Sequence, residues 1–349
     1  MSGKEERLYY LDSIRGVAAL MVASAHFIER TPLHGVLFFK FFNLGQIGVV
    51  AFFILSGMVI PYSLRAGKRP LLKFLVSRFF RLYPAYWFSV LLAVFTFTCL
   101  YGIKIPIVTI LKNVTMFQSL MRAPDLFGVY WTLIIEILFY TLCACLFLIN
   151  LLSKENVKFC ISLCLLAISV MLSLARYFFE RKLPVAIPLC MSLMFFGSIW
   201  RDVSLGVANR ATKKSSVIFL SFFLVFLIPI SFMAYNRDYG HGENAISYVV
   251  SYTAGIALTI FLTTKFKIYN KIIVYLGSIS YSVYLVHPFF LEIFFVKTNM
   301  SRGFDFLMFF TYLFSVIVLA SFSYYLIERS GVSLGRKINT LMSADEIRL

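Results

Sequence analysis

Apolar residues run in blocks of about twenty along this chain, separated by short polar and mostly basic segments. A helix that crosses the roughly 30 Å hydrocarbon layer needs about 20 mainly apolar residues. That requirement is met ten times, at about 9–29, 36–61, 83–101, 128–152, 157–176, 184–200, 215–235, 245–264, 272–296 and 305–327. The pattern predicts an all-α, polytopic membrane protein with about ten transmembrane helices. Pro61, Pro84, Pro106 and Pro184 fall near predicted ends, where a missing backbone donor is tolerated. Pro288 lies inside the ninth segment and predicts a kink there.

Composition agrees. The 349 residues are 60% hydrophobic, 18% aromatic and 14% charged, with a mean hydropathy of +0.85. Soluble domains average about 45–50% apolar and about 25% charged, so a water-soluble core could not hide this much apolar surface. Disorder and a disulfide scaffold are excluded on the same grounds. The six cysteines lie in or at the ends of apolar runs and read as small buried hydrophobes, without metal-ligand spacing.

The net charge of +17 changes the picture only through its distribution. Both termini and the even-numbered loops hold 21 Lys and Arg, the odd-numbered loops 11, and Arg15 lies inside the first span. Clustered between apolar runs, these charges indicate membrane topology rather than nucleic-acid binding, and their bias predicts cytoplasmic termini. Lys4 and Arg7 precede a first span that has no cleavage site, so it reads as a retained helix. No inverted repeat is present, and the whole chain, 1–349, reads as one transmembrane domain with a membrane core of about 9–327 and a short cytoplasmic tail of about 328–349.

Ionisable groups at membrane depth are costly and mark candidate function. Asp12, Arg15 and His26 lie in the first span, with Arg15 and His26 eleven residues apart and so nearly on one helix face. Either this is a snorkelling Arg with a backbone-bonded His, or both serve chemistry. Tyr130 and Trp131 open the fourth span as an interfacial belt, and Glu136 follows about two turns below. His26 lies about one turn below the same surface, close enough in depth for the two to meet, with a Tyr or Ser on another helix as the alternative partner for Glu136. Tyr281, Tyr284 and His287 share one face of the ninth span, and Glu292 lies near the outer interface. His34 and His241 are loop residues without an assigned role. The second loop is strongly basic through Arg65, Lys68, Arg69, Lys73, Arg78 and Arg81. Arg78 and Arg81, three apart, suit phosphate recognition, although positive-inside anchoring on anionic lipid is, taken alone, the simpler explanation. The phosphate-binding loop and dinucleotide fingerprints are absent from the sequence.

In combination these stretches resemble the acyltransferase-3 family of integral membrane acyltransferases. The match runs from Leu11-Asp12-Ser13-Ile14-Arg15-Gly16 with His26, through the Gly48 to Gly57 segment, to Arg78-Phe79-Phe80-Arg81-Leu82-Tyr83-Pro84. It continues in Trp131-Thr132-Leu133 with Glu136 and Phe139-Tyr140, in Leu276-Gly277-Ser278-Ile279-Ser280-Tyr281 through His287, and in Tyr325-Leu326-Ile327-Glu328-Arg329. Met58, Ile137 and Val286 depart from the family pattern.

The resemblance implies transfer of an acyl group, usually acetyl from acetyl-coenzyme A, to a hydroxyl of a surface polysaccharide, O-antigen or lipid-linked glycan. The setting would be the bacterial inner membrane. It makes His26 the general base, Glu136 its orienting carboxylate and Arg15 an auxiliary. Arg78, Arg81, Ser56, Gly57 and Arg15 would contact the acyl donor, and Trp131, Tyr281, Tyr284 and His287 would line the acceptor pocket. An acyl-histidine intermediate is an alternative route. Acetyl-coenzyme A, or another short acyl-coenzyme A, is a co-substrate, and no permanent cofactor or metal is implied. The bilayer is a partner and nucleic acid is not; a homo-oligomer or an envelope-biosynthesis partner stays open. A secondary transporter with a His26/Glu136 proton relay, or a non-catalytic scaffold, would account for the same polar residues.

Overall fold

A computed structural model describes residues 8–64, 66–237, 244–296 and 304–344. Lys4, Arg7, Arg65, His241, Lys297, Arg302 and Arg348, which enter the charge argument or the loop histidines, lie outside the described residues. Among those described, every regular element is helical. The principal ones are α1 (Tyr9–Glu29), α2 (Leu44–Val59), α3 (Pro70–Phe95), α4 (Trp131–Leu148), α5 (Glu155–Phe179), α6 (Ala186–Ser204), α7 (Arg210–Ala234), α8 (Ala245–Thr264), α9 (Lys271–Ser278), α10 (Ser280–Phe295), α11 (Phe306–Ser323) and α12 (Arg329–Ala344). Nine helical stretches among the described residues are long and apolar enough to cross a membrane, and α9 with α10 forms a tenth, bent by 71°. The chain is thus an all-α polytopic membrane protein. Leu91, Val225, Phe314 and Phe261 are more than half exposed, which suits lipid and not water.

The chain divides into two compact units. The first comprises residues up to Ala25, Gly35–Val59 and Lys154–Ser280. Its backbones approach closely through glycine. A Cβ on Gly57 would lie 1.8 Å from the Met194 carbonyl oxygen, and one on Gly277 1.8 Å from that of Asp12. Small residues allow such contact where no hydrophobic force between helices exists in lipid. Gly57, which the resemblance assigns to the donor, is also a point of close helix packing. The second unit comprises His26–His34, Ile60–Ser153 and Tyr281–Leu349.

Several boundaries differ from expectation. The third span starts at Pro70 rather than 83, because the amphipathic Phe74–Arg81 stretch is the first part of α3. Pro70–Leu100 counts 31 residues and Phe306–Ser343 counts 38, both longer than the roughly 20 a bilayer requires. Residues expected to form a tail are instead helix α12, which packs on α3. Asn339 Nδ2 donates to the Lys73 carbonyl at 3.1 Å and to Ser77 Oγ at 2.9 Å. Pro84 sits within α3, leaving the Phe80 carbonyl without its helical donor. Gly331 of α12 covers that carbonyl, where a Cβ would stand 2.8 Å from the oxygen. The break in the ninth span is at Ile279, beside the Gly277–Asp12 contact, and Pro288 lies inside an unbroken α10. Of the cysteines, Cys143 and Cys190 are buried, whereas Cys99, Cys145, Cys160 and Cys164 are exposed, since an apolar run in lipid need not face inward.

Gly57→Ala should lower stability by about 1–3 kcal/mol through overpacking against rigid backbone. Gly35→Ala, with nothing within 4 Å of its added methyl, is the control. Equal thermal midpoints for the two variants in detergent would contradict the packing role.

Candidate active site

His26 sits one turn before the end of α1, and its side chain is 36% exposed. Its Nδ1 lies 2.8 Å from Glu29 Oε2 on the same helix face, at the i,i+3 spacing. A carboxylate only accepts, so Nδ1 carries the proton and Nε2 is the bare nitrogen of the neutral ring. This replaces the expected His26–Glu136 pairing: Glu136 is half-buried and receives the Tyr140 hydroxyl instead. Glu29 was overlooked although its spacing from His26 was in plain view. Depth counting compares heights on two helices and ignores the direction each side chain takes around its axis.

The last turn of α1 is fixed from several sides. Phe27 packs on Phe295, Phe309 and Tyr312, with ring centroids 5.1, 5.2 and 5.1 Å away. Arg30 donates to Glu292 Oε1 at 2.7 Å, and Tyr101 donates to the other oxygen at 2.5 Å. Burial, then the Glu292 bond, pushes the Tyr101 hydroxyl up to about 12, so it remains a donor at neutral pH. The His26 imidazole is stacked on that of His287, with centroids 5.4 Å apart and planes 10° from parallel.

Other residues expected near a pocket are structural ties. Tyr281 donates its hydroxyl to the Leu82 carbonyl at 3.0 Å, and Tyr284 donates to that of Val129 at 2.9 Å. Tyr130 is fully buried, with its hydroxyl 2.8 Å from Ser89 Oγ, so it is no interfacial-belt residue. Its aromatic ring packs edge-on against Tyr86, and its hydroxyl needs a protein partner once water is excluded. Trp131, 38% exposed, is the open member of the pair.

The two arginines of α3 have different environments. Arg81 Nη1 donates at 2.6 Å to Glu328, whose side chain is 0% exposed and also accepts from Ser282 Oγ at 2.8 Å. Glu328 lies in a π-helical turn, Tyr324–Glu328, a bulge that re-aims side chains within a helix. Arg81 is thus held by an internal counter-charge, and the two arginines differ in their surroundings. The Arg78 guanidinium lies 5.7 Å from the centroids of both Phe74 and Tyr140, and its buried Nε has no hydrogen-bond partner. Arg15 and Ser56 belong to the first unit and are half-buried, Arg15 three turns before His26 on α1.

Up to ten apolar spans among the described residues make this a polytopic membrane protein, with a carboxylate-paired imidazole near the end of α1. Residues 8–326 match the profile described as an acyltransferase domain, and the chain belongs to the acyltransferase-3 family of membrane acyltransferases. It is also 37% identical over 108 residues to "Protein 2 in picA locus" of Rhizobium radiobacter. That match covers 29% of this chain, which spans about half (51%) of the relative's length. No solved structure matches the chain.

Removing one partner of a buried ion pair costs about 3–5 kcal/mol. Glu328→Ala should therefore destabilise the protein by about 3 kcal/mol, and Arg81→Met/Glu328→Leu should recover most of that in detergent unfolding. A Glu328→Ala variant of wild-type stability would contradict the pairing.

Proposed function

We propose that this acyltransferase moves an acetyl group from acetyl-coenzyme A to a hydroxyl of a surface polysaccharide, O-antigen or lipid-linked glycan in a bacterial inner membrane. His26 is the general base. The observation that carries this reading is the Glu29–His26 pair, in which Nδ1 faces the carboxylate and Nε2 is the lone-pair nitrogen of the neutral, half-exposed ring. Nε2 takes the acceptor's proton as the hydroxyl oxygen bonds to the thioester carbonyl carbon. The carbon–sulfur bond then breaks, and coenzyme A leaves as a thiolate that recovers the proton from the imidazolium. Such positioned proton transfer contributes about 10²–10⁴ in rate. Glu29 orients the ring and balances the transient positive charge.

The donor's phosphates are assigned to Arg78, whose guanidinium keeps an unpartnered Nε; Arg81 supports that region through Glu328. With α1 and α2 each crossing once, the start of α3 shares a membrane side with the start of α1, away from His26. Basic residues concentrate at that side, so cytoplasmic coenzyme A would enter there and meet an acceptor arriving from the opposite leaflet. Charge distribution and family membership support this orientation.

His26→Ala should abolish acetyl transfer in membranes while leaving the thermal midpoint in detergent unchanged. Glu29→Gln should reduce it by about tenfold or more, and Glu136→Gln by much less. Equal losses for both carboxylate variants would remove Glu29 from its role. Arg78→Ala should raise KM for acetyl-coenzyme A at least about tenfold, the effect of losing a charge-assisted contact. An unchanged KM would make Arg78 a membrane anchor only.

A further inference from the structure

Arg78 and Arg81 share one helix, yet their charges are met in different ways. Arg81 is bonded to the Glu328 carboxylate, which balances it inside the protein. Arg78 has no carboxylate bonded to it among the described residues and is held by aromatic rings instead. Its guanidinium stands 5.7 Å from the centroids of Phe74 and Tyr140. Those two rings meet edge to face, 5.9 Å apart with 75° between their planes, and both are buried. A cation seated against two π faces is held in place without being neutralised.

Tyr140 contributes more than its ring. Its hydroxyl donates to Glu136, one turn earlier on α4. A carboxylate only accepts, so the hydroxyl proton is fixed toward Glu136 and the oxygen lone pairs are left for another donor. Arg78 is the hydrogen-bonding neighbour of that oxygen on α3. From Arg78 to Tyr140 to Glu136 each group thus donates to the next, and the two bonds polarise one another. The Tyr140–Glu136 bond lies within one helix and ties no two elements together, so it adds nothing to tertiary packing. Its consequence falls on the group that Tyr140 faces, the Arg78 guanidinium. An amide at position 136 would disturb this order, because its NH2 can donate to the tyrosine oxygen and turn the hydroxyl proton toward the cation.

We propose that Tyr140 is a positioning residue for the acyl donor: oriented by Glu136, it holds the Arg78 guanidinium in the direction that meets the donor's phosphates. This rests on the assignment of those phosphates to Arg78 and extends it. Glu136 thereby serves the donor side of the reaction, and the base relies on Glu29.

The test uses the full-length protein in membranes of a deletion strain. Acetyl-[14C]coenzyme A is titrated, and label in the surface glycan is the readout. Tyr140→Phe keeps the ring and removes the oxygen. It should fold as the wild type does, raise KM for acetyl-coenzyme A about fivefold and change kcat by less than about twofold. Glu136→Gln should raise the same KM at least as much. In an Arg78→Ala background Tyr140→Phe should add less than about twofold, because the group it positions is gone. An unchanged KM in Tyr140→Phe, a loss confined to kcat, failure of that variant to fold, or its full effect in the Arg78→Ala background would each overturn the proposal while leaving Arg78 as the phosphate ligand. An unchanged KM in Arg78→Ala itself would overturn the donor assignment, and the role of Tyr140 with it. Absence of label with wild-type protein would overturn the acyl-transfer reading as a whole.

Discussion

A polar group at membrane depth has no water to fall back on, so the protein must supply its partner. The second unit shows this requirement throughout. Tyr281 and Tyr284 spend their hydroxyls on carbonyls, Ser89 joins Tyr130, and Glu328 is shared by Arg81 and Ser282. Against that background the few atoms left over become informative. Arg78 Nε, Gln118 Oε1, His287 Nε2 and Asn339 Oδ1 are buried there without a hydrogen-bond partner, and in the neutral His26 ring Nε2 is the lone-pair nitrogen.

Rigidity at the end of α1 follows from the same logic. A base must be held near the proton it removes, and a helix terminus is prone to fray. Here the Phe27 aromatic cluster and the Arg30–Glu292–Tyr101 network both hold that terminus. The Glu29 carboxylate then sets the ring's tautomer from within the helix. Packing, ion pairing and protonation state thus converge on one nitrogen.

Much of this was legible in the sequence. The apolar blocks placed the spans, since length and hydropathy alone set them, and His26 and His287 stood out as ionisable residues in apolar surroundings. What escaped was direction and partnership. Equal depth suggested Glu136 for His26, yet azimuth on α4 aims it at Tyr140. Arg78 and Arg81 look alike at three-residue spacing, and only the tertiary position of Glu328 separates them. Pro288 promised a kink, but the bend came at Ile279, where Gly277 meets the Asp12 backbone. That contact joins residues far apart in the chain and leaves no local sign.

The central claim is that one imidazole near the end of α1 joins a donor from the basic side of the membrane to an acceptor on the other. Proteoliposomes carrying the protein in one orientation test it directly. Acetyl-[14C]coenzyme A is supplied on the basic side and a glycan acceptor on the opposite side. The account predicts labelled ester on the acceptor side, with all coenzyme A remaining where it was added. Labelled glycan formed only when donor and acceptor share a side, or intact acetyl-coenzyme A crossing the bilayer, would contradict it.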